Sequence, residues 1–271
     1  MSDLVEDRVY DDRTGTQSVY VASESGVVIV EVAHRVGRFR LDHRCMARDV
    51  AVSDDLLAVA TDEDVLVMDQ RGEGSYVETG FGPADAVGFD DGALLAATSD
   101  EYEIGRLLHP REKPTEWLTV ADVDASIRAI DGPLLAAADG VYRLTTDDIV
   151  HAGLDDARDV SSAGTPLVGT GSGLYRLANG WVDELDGPFD VVTARPDGET
   201  ELAHAATADT FYENDGTEWN QRDVPDTPIV GVAYGETTYA VTDRATMLVD
   251  RGDHWESRSL GVPGVVGLAA L

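Results

Sequence analysis

An all-β propeller of seven four-stranded antiparallel blades is the fold this chain of 271 residues predicts. Three observations carry that reading. A block of about 36 residues returns roughly seven times, the period at which strand-only repeats build propellers. No stretch of useful length shows a helical spacing of apolar residues. The two ends supply complementary pieces of one more repeat, which closes the ring.

Within each copy the clearest element is the second strand, a run of small and aliphatic residues ending in a polar turn. The copies read VASESGVVIV from Val21, VATDEDVLVM from Val59, AATSDEYEIG from Ala96 and AAADGVYRL from Ala136. They continue as VGTGSGLYRL from Val168, AATADTFYE from Ala205 and AVTDRATML from Ala240. Blades packed face to face and tapering toward an axis require such small side chains where neighbouring sheets approach. The first strands open at Asp49, Asp85, Ser126, Asp159, Asp190 and Ile229. Turn signals follow them, as in Ser53-Asp54-Asp55, Asp90-Asp91-Gly92, Asp131-Gly132-Pro133 and Pro196-Asp197-Gly198. Asp bonds its own backbone in such turns and Gly accepts positive φ. Third strands alternate around an aromatic, as in Val141-Tyr142-Arg143-Leu144 and Leu174-Tyr175-Arg176-Leu177. Fourth strands carry an aromatic near their start: Tyr76, Trp117, Trp181, Trp219 and Trp255, with Phe39 in the first copy.

Six blades are expected near residues 49–82, 85–123, 126–157, 159–188, 190–226 and 229–262 of a single domain. Residues 18–44 supply second to fourth strands without a first, and residues 264–271 supply a first strand with nothing after it. Pairing the two makes the seventh blade and removes the open sheet edges.

Charge is the other marked feature. Fifty-two acidic against 20 basic residues give a formal net charge of -32, and Lys113 is the only lysine. The acids are spread over every repeat rather than gathered in a tail, the pattern of a surface that holds water and cations in concentrated salt. No basic stripe offsets them, which argues against a nucleic-acid partner. Cys45 is the only cysteine, so no internal disulfide or CxxC site exists. The opening MSDLVEDRVYDD lacks the features of a signal peptide, and no apolar run approaches the ~20 residues that cross a bilayer. A cytoplasmic protein with no membrane contact is the expectation.

Two hairpins carry a family likeness. Asn214-Asp215-Gly216-Thr217-Glu218-Trp219 and Asp250-Arg251-Gly252-Asp253-His254-Trp255 resemble the Asp-box turn of sialidase-like propellers, and Asn179-Gly180-Trp181 resembles a shortened form. The leading Ser or Thr of that box is missing from the first two. In that family the box is a structural hairpin remote from the active site, so the likeness implies fold and no catalysis. Over its whole length the acidic chain also resembles an uncharacterised group of haloarchaeal β-propeller proteins, which implies no activity.

Several residues are candidates for function. Asp49, Asp85, Asp159 and Asp190 recur at the start of first strands, innermost in a propeller, where a ring of carboxylates could hold Ca²⁺ or Mg²⁺. The competing account is that each satisfies backbone donors at its own turn. The stretch HRVGRFRLDHRCMAR from His34 gathers Arg35, Arg38, Arg40, Arg44 and Arg48 against a single acid, Asp42. Arginine forks bind carboxylate and phosphate in bidentate fashion, so this run is the foremost partner site. Pairing with acids of neighbouring blades is the alternative. The hairpin from Arg106 to Thr115 is longer than its counterparts, carries His109 and Arg111, and is expected to project from the blade rim. Cys45 with His43 two residues away could form a nucleophile pair, but no third group is indicated and buried filler is the plainer role. Arg128 is the only charge inside a predicted first strand. His204, in an alanine-rich second strand, reads as a packed core histidine. The six histidines show no zinc-binding spacing.

No catalytic signature or nucleotide-binding loop occurs. A non-catalytic scaffold that docks a protein partner in a halophilic cytoplasm is therefore the expected function. The alternatives are a channel-mouth hydrolase of lactonase or glycosidase type, using a divalent metal, and a propeller that holds a small ligand without turnover. Cofactor, partner identity and oligomeric state are left open.

Overall fold

A computed structural model describes residues 16–72, 74–98, 103–112, 115–145, 148–196 and 202–271. Asp197 and Gly198 of one expected turn, Lys113 and Pro114 of the long hairpin, and the opening dodecapeptide lie outside them.

Seven four-stranded antiparallel sheets make the fold. Blade 1 contains β1 (Gln17–Ser23), β2 (Gly26–Val32) and β3 (Val36–His43). Blade 2 is β4 (Ala47–Ser53), β5 (Leu56–Thr61), β6 (Val65–Asp69) and β7 (Tyr76–Glu78). Blade 3 is β8 (Ala86–Asp90), β9 (Ala93–Ala97), β10 (Glu103–Leu107) and β11 (Leu118–Asp122). Blade 4 is β12 (Ile127–Asp131), β13 (Leu134–Ala137), β14 (Gly140–Leu144) and β15 (Ile149–Gly153). Blade 5 is β16 (Ala157–Ser161), β17 (Leu167–Thr170), β18 (Gly173–Leu177) and β19 (Trp181–Asp186). Blade 6 is β20 (Val191–Ala194), β21 (Leu202–Ala206), β22 (Phe211–Asp215) and β23 (Trp219–Arg222). Blade 7 is β24 (Ile229–Tyr234), β25 (Thr238–Thr242), β26 (Thr246–Asp250) and β27 (Trp255–Ser259). The last strand, β28 (Val265–Ala270), returns to blade 1 and pairs antiparallel with β1, giving the order β28-β1-β2-β3. Leu271 N–H donates to Ser18 O at 3.1 Å, and the Gln17 side-chain amide bonds Leu271 O.

The uninterrupted apolar second strands follow from burial on both faces. Alternate residues of one strand point to opposite sides, so each second strand feeds two blade interfaces. In β1, Val19 and Val21 pack against Tyr239, Val241 and Met247 of blade 7. Tyr20 and Ala22 of the same strand pack against Leu57, Val59 and Met68 of blade 2. In β9, Leu94 and Ala96 face blade 2 while Leu95 and Ala97 face blade 4. The core is thus a set of apolar layers, one between each pair of blades.

Where the second strand turns back, a hydroxyl closes the hairpin. Thr61 Oγ1 donates to Asp64 O at 2.6 Å and accepts the Asp64 N–H at 3.0 Å. Thr170 repeats this with Gly173, and Ser23 donates to Gly26 O. These hydroxyls are buried and satisfy turn groups that would otherwise lose water without replacement. The Asp-box-like hairpins join third to fourth strands: Asn214 Oδ1 accepts the Gly216 N–H at 2.8 Å and Asp250 Oδ1 that of Gly252 at 2.7 Å.

Candidate functional site

Two regions gather the charged candidates: the central channel and the outer strand of blade 1. The innermost strand of every blade lines a channel of about 470 Å³, and Val50, Val87, Val160, Val192 and Leu268 are among its lining residues. One mouth is charged. Strand register explains how the charges are aimed. Strands β4, β12 and β16 each carry one extra residue relative to their neighbours, at Arg48, Arg128 and Arg158. Such bulges re-aim a side chain, and each arginine reaches forward to the next blade. Arg48 binds Asp85, Arg128 binds Asp156 and Arg158 binds Asp190, every pair at 2.6 Å. Strands β8 and β20 have no such extra residue, and Asp85 and Asp190 stand just before them. Three innermost strands therefore carry an arginine, not Arg128 alone, because β4 and β16 begin two residues before the expected starts.

Asp49 and Asp159 behave differently. Each follows a bulged arginine and bridges two backbone N–H groups. Asp49 accepts from Val50 at 2.8 Å and Val87 at 2.9 Å. Asp159 accepts from Val160 at 2.9 Å and Val192 at 2.7 Å. Burial in the channel wall pushes both carboxyls up to about 7, against the pull of those donors. Asp131, bonded to the Ser162 N–H of the following blade, is raised by burial as well. Asp156, half-buried and bonded by Arg128, lies below the usual carboxylate range. The four aspartates expected to share a cation are thus split into two pairs with separate partners. Among the described residues no three His, Cys, Asp or Glu side chains converge as a metal ion requires.

Near the channel, between blades 6 and 7, His204 does more than fill the core. It is wholly buried, with Nδ1 2.8 Å from the Tyr234 hydroxyl and Nε2 3.3 Å from Glu213 Oε2. The Tyr234 hydroxyl donates to Thr193 O at 3.2 Å, so the group ties the innermost strands of blades 6 and 7 together. His204 holds Glu213 below its ordinary pKa, and burial holds the Tyr234 phenol well above its own. A raised phenol is a structural group, not a ready acid or nucleophile. Nothing in the local sequence links positions 204 and 234; only Glu213, across the strand from His204, was open to a register argument.

At the rim, β3 is the outermost strand of blade 1, and no described strand pairs with its outer edge. It is eight residues long, and Arg38, Phe39, Arg40 and Leu41 are all exposed. Register with β2 places Phe39 and Leu41 on the side facing blade 7, and Arg40 on the side facing blade 2. Arg40 bonds Asp42, which also accepts the Tyr76 hydroxyl at 3.1 Å. Arg38 and Arg44 meet no carboxylate within ion-pair reach among the described residues. Against the upward push of burial, Glu256 is held below its ordinary pKa chiefly by its hydrogen bond with Arg251, and the exposed Arg35 adds a smaller pull. Arg258 of blade 7 caps the Phe39 ring from 5.2 Å. The arginine run is therefore divided: Arg35, Arg38, Arg40 and Arg44 surround the rim strand, while Arg48 belongs to the channel.

The remaining candidates are placed as follows. The long hairpin of blade 3 does not stand free of the rim. It folds over blade 2, where Arg111 binds Asp69 at 2.5 Å and Thr115 donates to Thr79 O at 2.7 Å. His109 stays exposed at its tip. The Cys45 thiol, half-buried, is pushed up to about 11 by burial, which removes it as a nucleophile at neutral pH. His43 stacks on Tyr76 with ring centroids 4.5 Å apart.

No curated protein sequence matches this chain. In fold the chain is similar to the Neurospora crassa Pan2 WD40 domain, with a TM-score of 0.66 and 11% identity over 91% of this chain and 87% of that one. It is similar to YCF48 bound to D1 peptide, with a TM-score of 0.61 and 10% identity over 83% of this chain and 92% of that one. The computationally designed Ika8 protein gives a TM-score of 0.60 and 12% identity over 92% and 86%. At these identities the likeness is one of fold alone. No helix among the described residues is long and apolar enough to cross a membrane. A family model described as an HVO_0234-like beta propeller matches residues 3–271, and the chain belongs to that beta-propeller family.

Proposed function

We propose that this propeller is a non-catalytic interaction module that docks an acidic protein partner on the rim of blade 1. One observation carries the reading. In a chain of net charge -32, four exposed arginines surround a single outermost strand with one acid among them, Asp42. Two of them, Arg38 and Arg44, have no ion-pair partner among the described residues. The channel-mouth arginines do not compete for this role, because Arg128 and Arg158 are each neutralised by the aspartate of the next blade. Support of a general kind comes from fold: propellers present rigid faces and rims to partners, and the similar YCF48 structure is bound to D1 peptide. We take the acid-rich surface as that of a protein working in a salt-rich cytoplasm. At about 1 M salt the screening length is ~3 Å, so recognition there depends on direct contact.

The test is capture at about 1 M KCl, where screening leaves only contact-range recognition. Wild-type chain and the triple variant R38S, R40S and R44S are compared as baits. Capture of acidic proteins by the wild type alone supports the reading, provided both baits melt alike. Equal capture by both overturns it.

A further inference from the structure

The rim strand offers more than charge. The first residues of β3 are occupied: Val36 N–H donates to Glu256, and Val36 O accepts from Arg258 of blade 7 at 2.7 Å. From Arg38 to His43 the outer main-chain edge meets no other described strand. Outermost strands elsewhere are shorter, three to six residues. An edge of this length is a template for another strand. Its side chains restrict which strand that is. A second copy of β3 would bring arginines against arginines, and like charges directly opposite are destabilising. An acidic strand would set carboxylates against guanidinium forks and lay apolar side chains on Phe39 and Leu41, which are 36% and 37% exposed.

Resting on the reading of the rim as the docking site, we propose that β3 takes an extended acidic segment of a partner protein as a fifth, outermost strand of blade 1. The mode suits concentrated salt. Main-chain hydrogen bonds and apolar contact are not screened, while the arginine forks select carboxylates at contact range. Main-chain pairing supplies affinity, and alternate side chains supply the choice of partner.

The experiment uses the full chain and fluorescent synthetic peptides of alternating Glu and Val, as long as β3, in fluorescence anisotropy at about 1 M KCl, where steering is screened. Two further versions are N-methylated on alternate residues, one in each frame. In an edge pairing only every second N–H faces the receiving strand. The parent peptide should bind, R38S with R44S should weaken it about tenfold or more, and one N-methylated frame should lose binding while the other keeps it. Retained binding in both frames overturns strand addition but leaves the rim as the docking site. Failure of the parent peptide to bind, or equal binding by the R38S and R44S variant, overturns both. Matching melting curves of variant and wild type guard against misfolding.

Discussion

Asp49 accepts the backbone N–H of Val87 through Oδ2 at 2.9 Å, across the boundary between blades 2 and 3. Asp159 does the same for Val192 between blades 5 and 6. An innermost strand has no neighbour on its channel side, and these carboxyls replace one. They join blades by bonds from a side-chain carboxyl to a main-chain N–H where the ring is narrowest.

That position makes stability depend on pH. Burial holds both carboxyls at about 7 in the folded protein, against 3.8 for an ordinary aspartate. Between those values the folded chain keeps protons the unfolded chain has released. Their contribution to stability is fully present below about pH 4 and is lost as pH rises through 7. Asp49→Asn removes one such titration. Its melting temperature should therefore vary less than that of the wild type between about pH 5 and 8. Identical slopes would show that Asp49 does not titrate there.

The buried group at blades 6 and 7 should respond asymmetrically to substitution. Tyr234→Phe leaves His204 Nδ1 without its partner, at a cost of about 1–3 kcal/mol by denaturant unfolding. Adding His204→Leu removes the stranded nitrogen, and the double variant should recover part of that loss. Strictly additive losses would mean that the two side chains do not act together.

Gly88 lies on β8 where blades 3 and 4 approach. A Cβ at this position would meet Ile130 O at 2.4 Å and Ile130 Cγ2 at 2.7 Å. Gly88→Ala should lower stability by about 1–3 kcal/mol through forced separation of the two innermost strands. A melting temperature equal to that of the wild type would contradict so close an approach.

Deletion of residues 265–271 removes β28 and exposes the edge of β1. The truncated chain should melt far below the full one and associate through that edge, seen as a larger species by light scattering. A monomer with the original melting curve would overturn closure by β28.

The ring was legible because its cause is periodic. Second strands buried on both faces write continuous runs such as LLAVAT and LLAAT, and the buried hydroxyls of Ser23, Thr61 and Thr170 end them with a visible letter. Closure was legible because the missing and surplus strands were complementary. The channel was not. Asp49 and Asp85 look alike in sequence, each opening an Asp-Val or Asp-Ala pair, but one extra residue at Arg48 gives them different partners. A bulge leaves no mark on composition or period. Proximity along the chain groups Arg48 with the arginine run, but the turn between β3 and β4 carries it from rim to axis. The Tyr234 contact with His204 spans two blades, so no local pattern announces it. Asp64 is a similar case: it is buried and satisfied by the N–H groups of Val65, Gly80 and Gly82, which only the folded loop assembles.

Six blades draw all four strands from one continuous stretch, so each can form early from hairpins. Blade 1 cannot, because the partners of its closing pair, Val19 with Ala270 and Val21 with Leu268, are separated by nearly the whole chain. Loop closure over that distance makes the ring seam the slowest step to assemble. Until it forms, a nearly finished disc carries two sticky borders. The rate at which β28 finds β1 should therefore decide how much of the protein folds and how much aggregates.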